Sequence, residues 1–76
     1  MAKLSPIHWR QFERFLLYVG CKFSRQKGSH RVYHRSDLKR PIIIPAGKDI
    51  PIFVIKNNLR LLNISTEEYL DILDML

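Results

Sequence analysis

In the N-terminal part of the chain the apolar residues Phe12, Phe15, Leu16 and Val19 recur at helical spacing and define one face. Ser5 is placed to cap such a helix with Pro6 at its first position, and Gly20 to stop it in a left-handed conformation. Trp9 lies near that face, where core packing accounts for it better than base stacking. The period then changes. Phe23 to Gln26 reads as a short strand, Lys27-Gly28 as a turn, and His30 to Arg35 as a second strand. Ser36-Asp37-Leu38-Lys39 is a second turn. Arg40 to Pro45 contains Ile42-Ile43-Ile44, a run apolar on both faces, which predicts a buried strand. After the loop Ala46-Gly47-Lys48-Asp49, Asp49 with Pro51 opens a second helix over residues 50–62. Isoleucine and valine in its first half also suit a strand, but Pro51 and Leu59, Leu61 and Leu62 favour helix. Asn63 is a left-handed stop, and Ser65-Thr66-Glu67-Glu68 matches a capping box opening a third helix with Tyr69, Leu70, Ile72 and Leu73. The order α-β-β-β-α-α predicts an α+β fold. It is a two-layer sandwich, a three-stranded antiparallel sheet with helices on one face.

Seventy-six residues have room for one core, so a single domain over residues 1–76 is expected. The apolar share of 46% argues against disorder. Cys21 is the one cysteine, which excludes an internal disulfide and fits a reducing compartment. With no second cysteine or adjacent histidine to activate it, Cys21 reads as a small packing residue just past a helix end. No segment has a signal peptide's apolar core or the length of a membrane span, so a soluble, cytoplasmic protein with no membrane partner is expected. The net charge of +6 is unevenly spread. Residues 22–60 hold ten Lys/Arg against Asp37 and Asp49, whereas residues 61–76 hold four acids and no Lys or Arg. The basic middle suits a polyanion such as nucleic acid, or is a solvated basic surface; charge alone leaves both open.

The candidate chemistry sits in Arg25-Gln26-Lys27-Gly28-Ser29-His30-Arg31. A glycine turn delivers His30 to the start of a strand among Arg25, Lys27 and Arg31. Histidine can take and give a proton near neutral pH, and the flanking cations are natural partners of phosphate. A metal site is discounted, because His30 and His34 are roughly 13 Å apart along a strand and no Cys-x-x-Cys exists. Ser29 is a poor nucleophile, since its neighbour His30 points to the opposite face. The glycines are too scattered for a nucleotide-binding loop, and no cofactor is expected. What survives is general acid–base catalysis by His30. The 2′-hydroxyl of RNA is an internal nucleophile beside the scissile phosphate, and a metal-free histidine site therefore favours RNA over DNA. The competing reading is a strand-start histidine that merely hydrogen-bonds the turn. Strand alternation puts His30, Val32 and His34 on one face and Arg31, Tyr33 and Arg35 on the other; if Val32 faces the core, His30 is half-buried.

Arg25 to Tyr33 resembles the signature of the HicA toxins, small mRNA interferases of toxin–antitoxin pairs, with the catalytic histidine at His30. Ile42-Ile43-Ile44-Pro45 is similar to the family's third strand, and residues 59–65 with Glu67-Glu68-Tyr69-Leu70 look like its closing helix and tail, with Asn63 where glycine is usual. The resemblance covers nearly the whole chain. It implies a fold similar to the double-stranded RNA-binding domain, a metal-independent endoribonuclease that cuts mRNA, and a HicB-type antitoxin covering the site. In that frame His30 is general base or acid, Gly28 shapes the turn, and Ser29 orients phosphate or the imidazole. Arg25, Lys27, Arg31 and Lys48 bind the RNA backbone. Two departures stand out. Ala46 and Gly47 follow Pro45 where a polar residue or histidine is common, so a second acid–base group falls to His34, to Lys48 or to water. Ile50-Pro51-Ile52-Phe53-Val54-Ile55 replaces a stretch that commonly reads Lys-Gly-Thr-Leu; core is expected there rather than an antitoxin-docking surface. The alternative function is a non-catalytic RNA-binding module. It is disfavoured because Asp49-Ile50-Pro51-Ile52-Phe53, followed only by Lys56, stands where such domains carry a lysine cluster. A third is a protein-interaction domain that only binds an antitoxin.

Overall fold

In the computed structural model, which describes residues 3–76, the first helix begins later than its cap-like sequence suggests. Ile7–His8 form a short strand, β1, and α1 runs from Trp9 to Tyr18. Ser5 and Pro6 therefore do not start the helix. His8 caps it instead, its Nδ1 accepting from the Arg10 N–H at 3.2 Å. The cause lies 42 residues away. Asp49–Ile50, β5, pair antiparallel with β1, Ile7 opposite Ile50 and His8 opposite Asp49, and this pairing seats Ile50 fully in the core. For the same reason Asp49 does not open the second helix. That helix, α2, runs from Ile52 to Leu62 after Pro51, with no side-chain cap.

The stops are local. Gly20 adopts φ +95°, and the Cys21 and Gly20 N–H groups donate to the carbonyls of Leu16 at 2.9 Å and Leu17 at 3.1 Å. Asn63 repeats this geometry at φ +58°, with Ile64 N–H donating to Leu59 at 3.0 Å. Ser65 caps α3, Thr66–Met75, its hydroxyl accepting from the Glu68 N–H at 3.1 Å.

Three strands form the main sheet in the order β2-β3-β4: Lys22–Lys27, His30–His34 and Ile42–Pro45, all antiparallel. The architecture is the expected α+β arrangement of three helices and a three-stranded antiparallel sheet, supplemented by the small β1–β5 ladder. Tyr33, Ile42 and Ile44 point to the helices and pack in one core with Phe12, Phe15, Leu16, Ile55 and Tyr69. Cys21 is buried there too, and burial pushes its thiol pKa up, in keeping with a packing role. Among the described residues no helix is long and apolar enough to cross a membrane.

Two expectations about apolar runs need correction. Ile42-Ile43-Ile44 is not buried on both faces: Ile42 and Ile44 are fully buried, but Ile43 is 47% exposed, because helices cover only one side of the sheet. The run from Ile50 to Ile55 likewise divides. Ile50 and Ile55 are core, whereas Phe53 is 69% exposed.

Burial pushes the phenol pKa values of Tyr33 and Tyr69 up to about 12, against about 10 for an unfolded tyrosine. The stability these neutral phenols contribute is complete below pH 10 and is lost as pH rises from 10 through 12. Alkaline titration should therefore show their tyrosinate absorbance rising together with loss of helical circular dichroism. Ionisation of both near pH 10 with the fold intact would contradict this.

Candidate nucleic-acid interface

The β2–β3 hairpin turns on Gly28 and Ser29, with Lys27 and His30 as the closing pair. Gly28 takes φ +61° and Ser29 does not have positive φ, the pattern of a type II′ turn whose first central position suits glycine. The Gln26 side chain donates to the Gly28 carbonyl at 3.0 Å, and the Ala46 N–H donates to the Ser29 carbonyl at 2.7 Å. The turn is thus held from its own strand and from the loop that follows β4.

A register slip between Phe23 and Arg25 decides what surrounds His30. Without it, Phe23 and Arg25 would share a face, two residues apart on one strand. The extra residue at Ser24 leaves Phe23 opposite Tyr33 on the helix side and puts Arg25 opposite Val32 on the open side. Lys22 and Lys27 fall on the open side as well, opposite His34 and His30, while Ile43 and Pro45 face Val32 and His30 from β4. The open face therefore carries Lys22, Arg25, Lys27, His30, Val32, His34, Ile43 and Pro45, and none of these is acidic.

His30 is exposed at the turn end of this face. Val32 does not face the core, so the half-buried position considered for His30 does not arise. Cross-strand partners in an antiparallel pair have Cβ atoms ~5 Å apart, which brings Lys27 beside the imidazole. Arg25, Lys27, Gly28, His30, Val32 and Ile43 line one open depression of about 530 Å³. Its polar rim is cationic. Its floor is Val32, 5% exposed although outside the main core, and Ile43. Neither the His30 imidazole nor the Ser29 hydroxyl has a hydrogen-bond partner among the described residues, so both are available to a ligand.

Not every expected site residue joins this group. Lys48 is exposed in the loop that Ala46 pins to the turn, at the same end of the sheet, but it does not line the depression. His34 shares the open face yet lies roughly 13 Å along the strand, in a separate depression with Lys22, Arg35 and Ser36. Arg31 faces the other way. Its guanidinium donates to Glu13 Oε2 at 2.7 Å, to the Tyr33 hydroxyl at 3.0 Å and to Gln26 Oε1 at 2.9 Å. It also stacks 4.1 Å over Phe23 and 5.0 Å over Trp9. Its donors are committed inside the protein, so it is unsuited to gripping RNA, and it positions the hairpin instead. Val32 and Ile43 were not foreseen as site residues. The signal was present: helices on one face of a three-stranded sheet leave every second apolar residue open.

Among the described residues no three of histidine, cysteine, aspartate and glutamate come together as metal ligands. A model of the family described as HicA toxin of bacterial toxin-antitoxin matches residues 9–64, from the first residue of α1 to the segment just after α2. This chain belongs to the HicA toxin family. Searches of curated proteins and of solved structures give no significant match. The HicA match takes in the whole main sheet, the hairpin and the open depression, and leaves α3 outside.

Arg31→Ala should lower stability by about 1–3 kcal/mol, because it leaves Glu13 and Tyr33 without their shared partner. His30→Ala should leave stability within about 0.5 kcal/mol, as expected for an exposed side chain. Urea unfolding of the two variants and the wild type checks both, and equal midpoints for all three would remove the role given to Arg31.

Proposed function

We propose that this HicA-family toxin is a ribonuclease that cuts mRNA by acid–base catalysis at His30, and that a HicB-type antitoxin neutralises it by covering the open sheet face. One observation supports this reading above the others. The exposed imidazole of His30 shares its depression with Arg25 and Lys27 and with no carboxylate. A carboxylate there would repel the phosphate that the imidazole must approach.

The chemistry follows from those groups. His30 takes the proton of the ribose 2′-hydroxyl, whose oxygen attacks the adjacent phosphorus. Lys27 and Arg25 offset the charge that builds on the phosphoryl oxygens, and the Ser29 hydroxyl orients one of them. The bond from phosphorus to the 5′-oxygen breaks, and that oxygen receives a proton from the imidazolium, from Lys48 or from water. The products are a 2′,3′-cyclic phosphate and a 5′-hydroxyl, with atoms and charge in balance. DNA lacks the 2′-hydroxyl and is not a substrate by this route. Gly28 holds the turn whose geometry places His30 over the Val32–Ile43 floor.

Purified protein incubated with RNA and excess chelator should produce fragments ending in 2′,3′-cyclic phosphate. His30→Ala should lower the rate ~10²–10⁴-fold, the usual worth of a general base or acid. Chelator-sensitive cleavage, or full activity in His30→Ala, would overturn the assignment. Salt-dependent binding of intact RNA with no product would instead support the non-catalytic RNA-binding alternative.

A further inference from the structure

A second cationic depression lies beside the first. It has a volume of about 450 Å³ and is lined by Arg40, Pro41, Ile43, Asn57, Asn58 and Arg60. Ile43 lines both depressions, so the two are continuous across one side chain of β4. Arg40 comes from the segment leading into β4, and Arg60 from the last turn of α2. Both are exposed, and among the described residues neither forms an ion pair. Asp37 shares an adjoining depression with Arg40 and Arg60, but its two carboxylate oxygens are already held by Arg35 at 2.6 and 3.0 Å, and this contact keeps its pKa below the ordinary value.

Two guanidinium groups in one depression, neither within ion-pair distance of an acid, repel each other unless an anion lies between them, and their planar forks match phosphate oxygens. The C-terminal dipole of α2 opposes an anion here, but its charge of about half a unit is outweighed by two full positive charges. Asn58 supplies the independent observation. It is 4% exposed, it lines this depression, and its Nδ2 is buried without an acceptor among the described residues. A buried donor without a partner is costly, and a turn of the amide toward a bound oxygen would satisfy it. Asn57, exposed beside it, offers a second amide.

We propose that Arg40, Arg60 and the Asn57–Asn58 amides form a second phosphate-binding subsite that holds single-stranded RNA a few nucleotides from the bond cut at His30. The proposal rests on the ribonuclease reading above and extends it. Arg40 is five residues before Pro45, the residue opposite His30, so the backbones at the two ends of the track are at most about 18 Å apart. Exposed Ile43 lies between them as an apolar surface for ribose or base. The charged groups of the track grip backbone rather than read sequence, and no aromatic residue lines it for base stacking.

The test compares wild type with the double variant Arg40→Gln/Arg60→Gln. A control, Lys3→Gln/Arg14→Gln, loses the same charge elsewhere. Binding is read with 2′-O-methyl RNA, which cannot be cut, and cleavage with a long RNA and a dinucleotide. The expected result for the double variant is about tenfold weaker binding of the long RNA or more. Its logarithmic salt slope should be shallower by roughly 1.4, two phosphates at about 0.7 each. KM for the long RNA should rise while cleavage of the dinucleotide is unchanged, and the control should behave as wild type. Equal binding and salt slope in wild type and double variant would overturn the subsite while leaving His30 catalysis untouched. Loss of affinity only for an acidic antitoxin protein would overturn it in favour of a protein interface. If wild type cuts no RNA, the ribonuclease reading fails, and the binding arm with 2′-O-methyl RNA still decides the subsite.

Discussion

Arg31 is where the helix layer, the sheet and the hairpin turn meet. Its guanidinium binds Glu13 of α1, Tyr33 of its own strand and Gln26 of β2, and Gln26 in turn holds the Gly28 carbonyl. Tyr33 closes the circuit by donating to the same Glu13 carboxylate. The charge sits between the rings of Phe23 and Trp9, with side-chain exposures of 17% for Arg31 and 22% for Glu13. Such a pair is partly shielded from water and salt, and its Coulomb attraction is correspondingly less screened than on an open surface. The edge strand β2 is exposed along its whole length, with Phe23 packed edge-on against Tyr33. Beyond its ladder with β3, this polar bolt ties β2 to the helix layer and, through Gln26, helps to hold the turn that presents His30.

The bolt lies on one face of the sheet and the proposed chemistry on the other. On the helix side Arg31 is paired with Glu13; on the open side Arg25, Lys27 and His30 face solvent with no acid among them. The same separation gives the exposed edge strand its protection. Lys22, Arg25 and Lys27 are charges that discourage pairing with a second chain, and the same charges make an attractive field for a polyanion. In the proposed reading, this basic, uncovered sheet face is the surface that the antitoxin occludes.

Much of the fold was legible because its signals are local. The helix stops at Gly20 and Asn63 and the cap at Ser65 depend on residues within one turn, and each appears where the chain predicts it. Misplaced starts have a different cause. Ser5-Pro6 and Asp49 have good helix-opening chemistry, but Ile7–His8 and Asp49–Ile50 lie next to each other in the folded chain and pair as strands. Long-range pairing that buries Ile50 overrides a cap that would have contributed about 1 kcal/mol. Ile43 departs from the expected two-sided burial because helices cover only one side of the sheet, which a run of isoleucines does not encode.

For the site, the sequence by itself determined the ingredients: a glycine turn, one histidine at a strand start and a cluster of cations, all within seven residues. Alternation along β3 also separated His30 from Arg31 correctly. What alternation could not supply was the slip at Ser24, because a bulge is fixed by how two strands pair and not by either strand alone. That slip sends Arg25 and Lys27 to the side of His30 and keeps Phe23 under Arg31. Tertiary structure alone sorted identical charges into those bound inside the fold and those left for a ligand. A cation's role depends on the acid it meets, and Glu13 meets Arg31 only once α1 packs on the sheet.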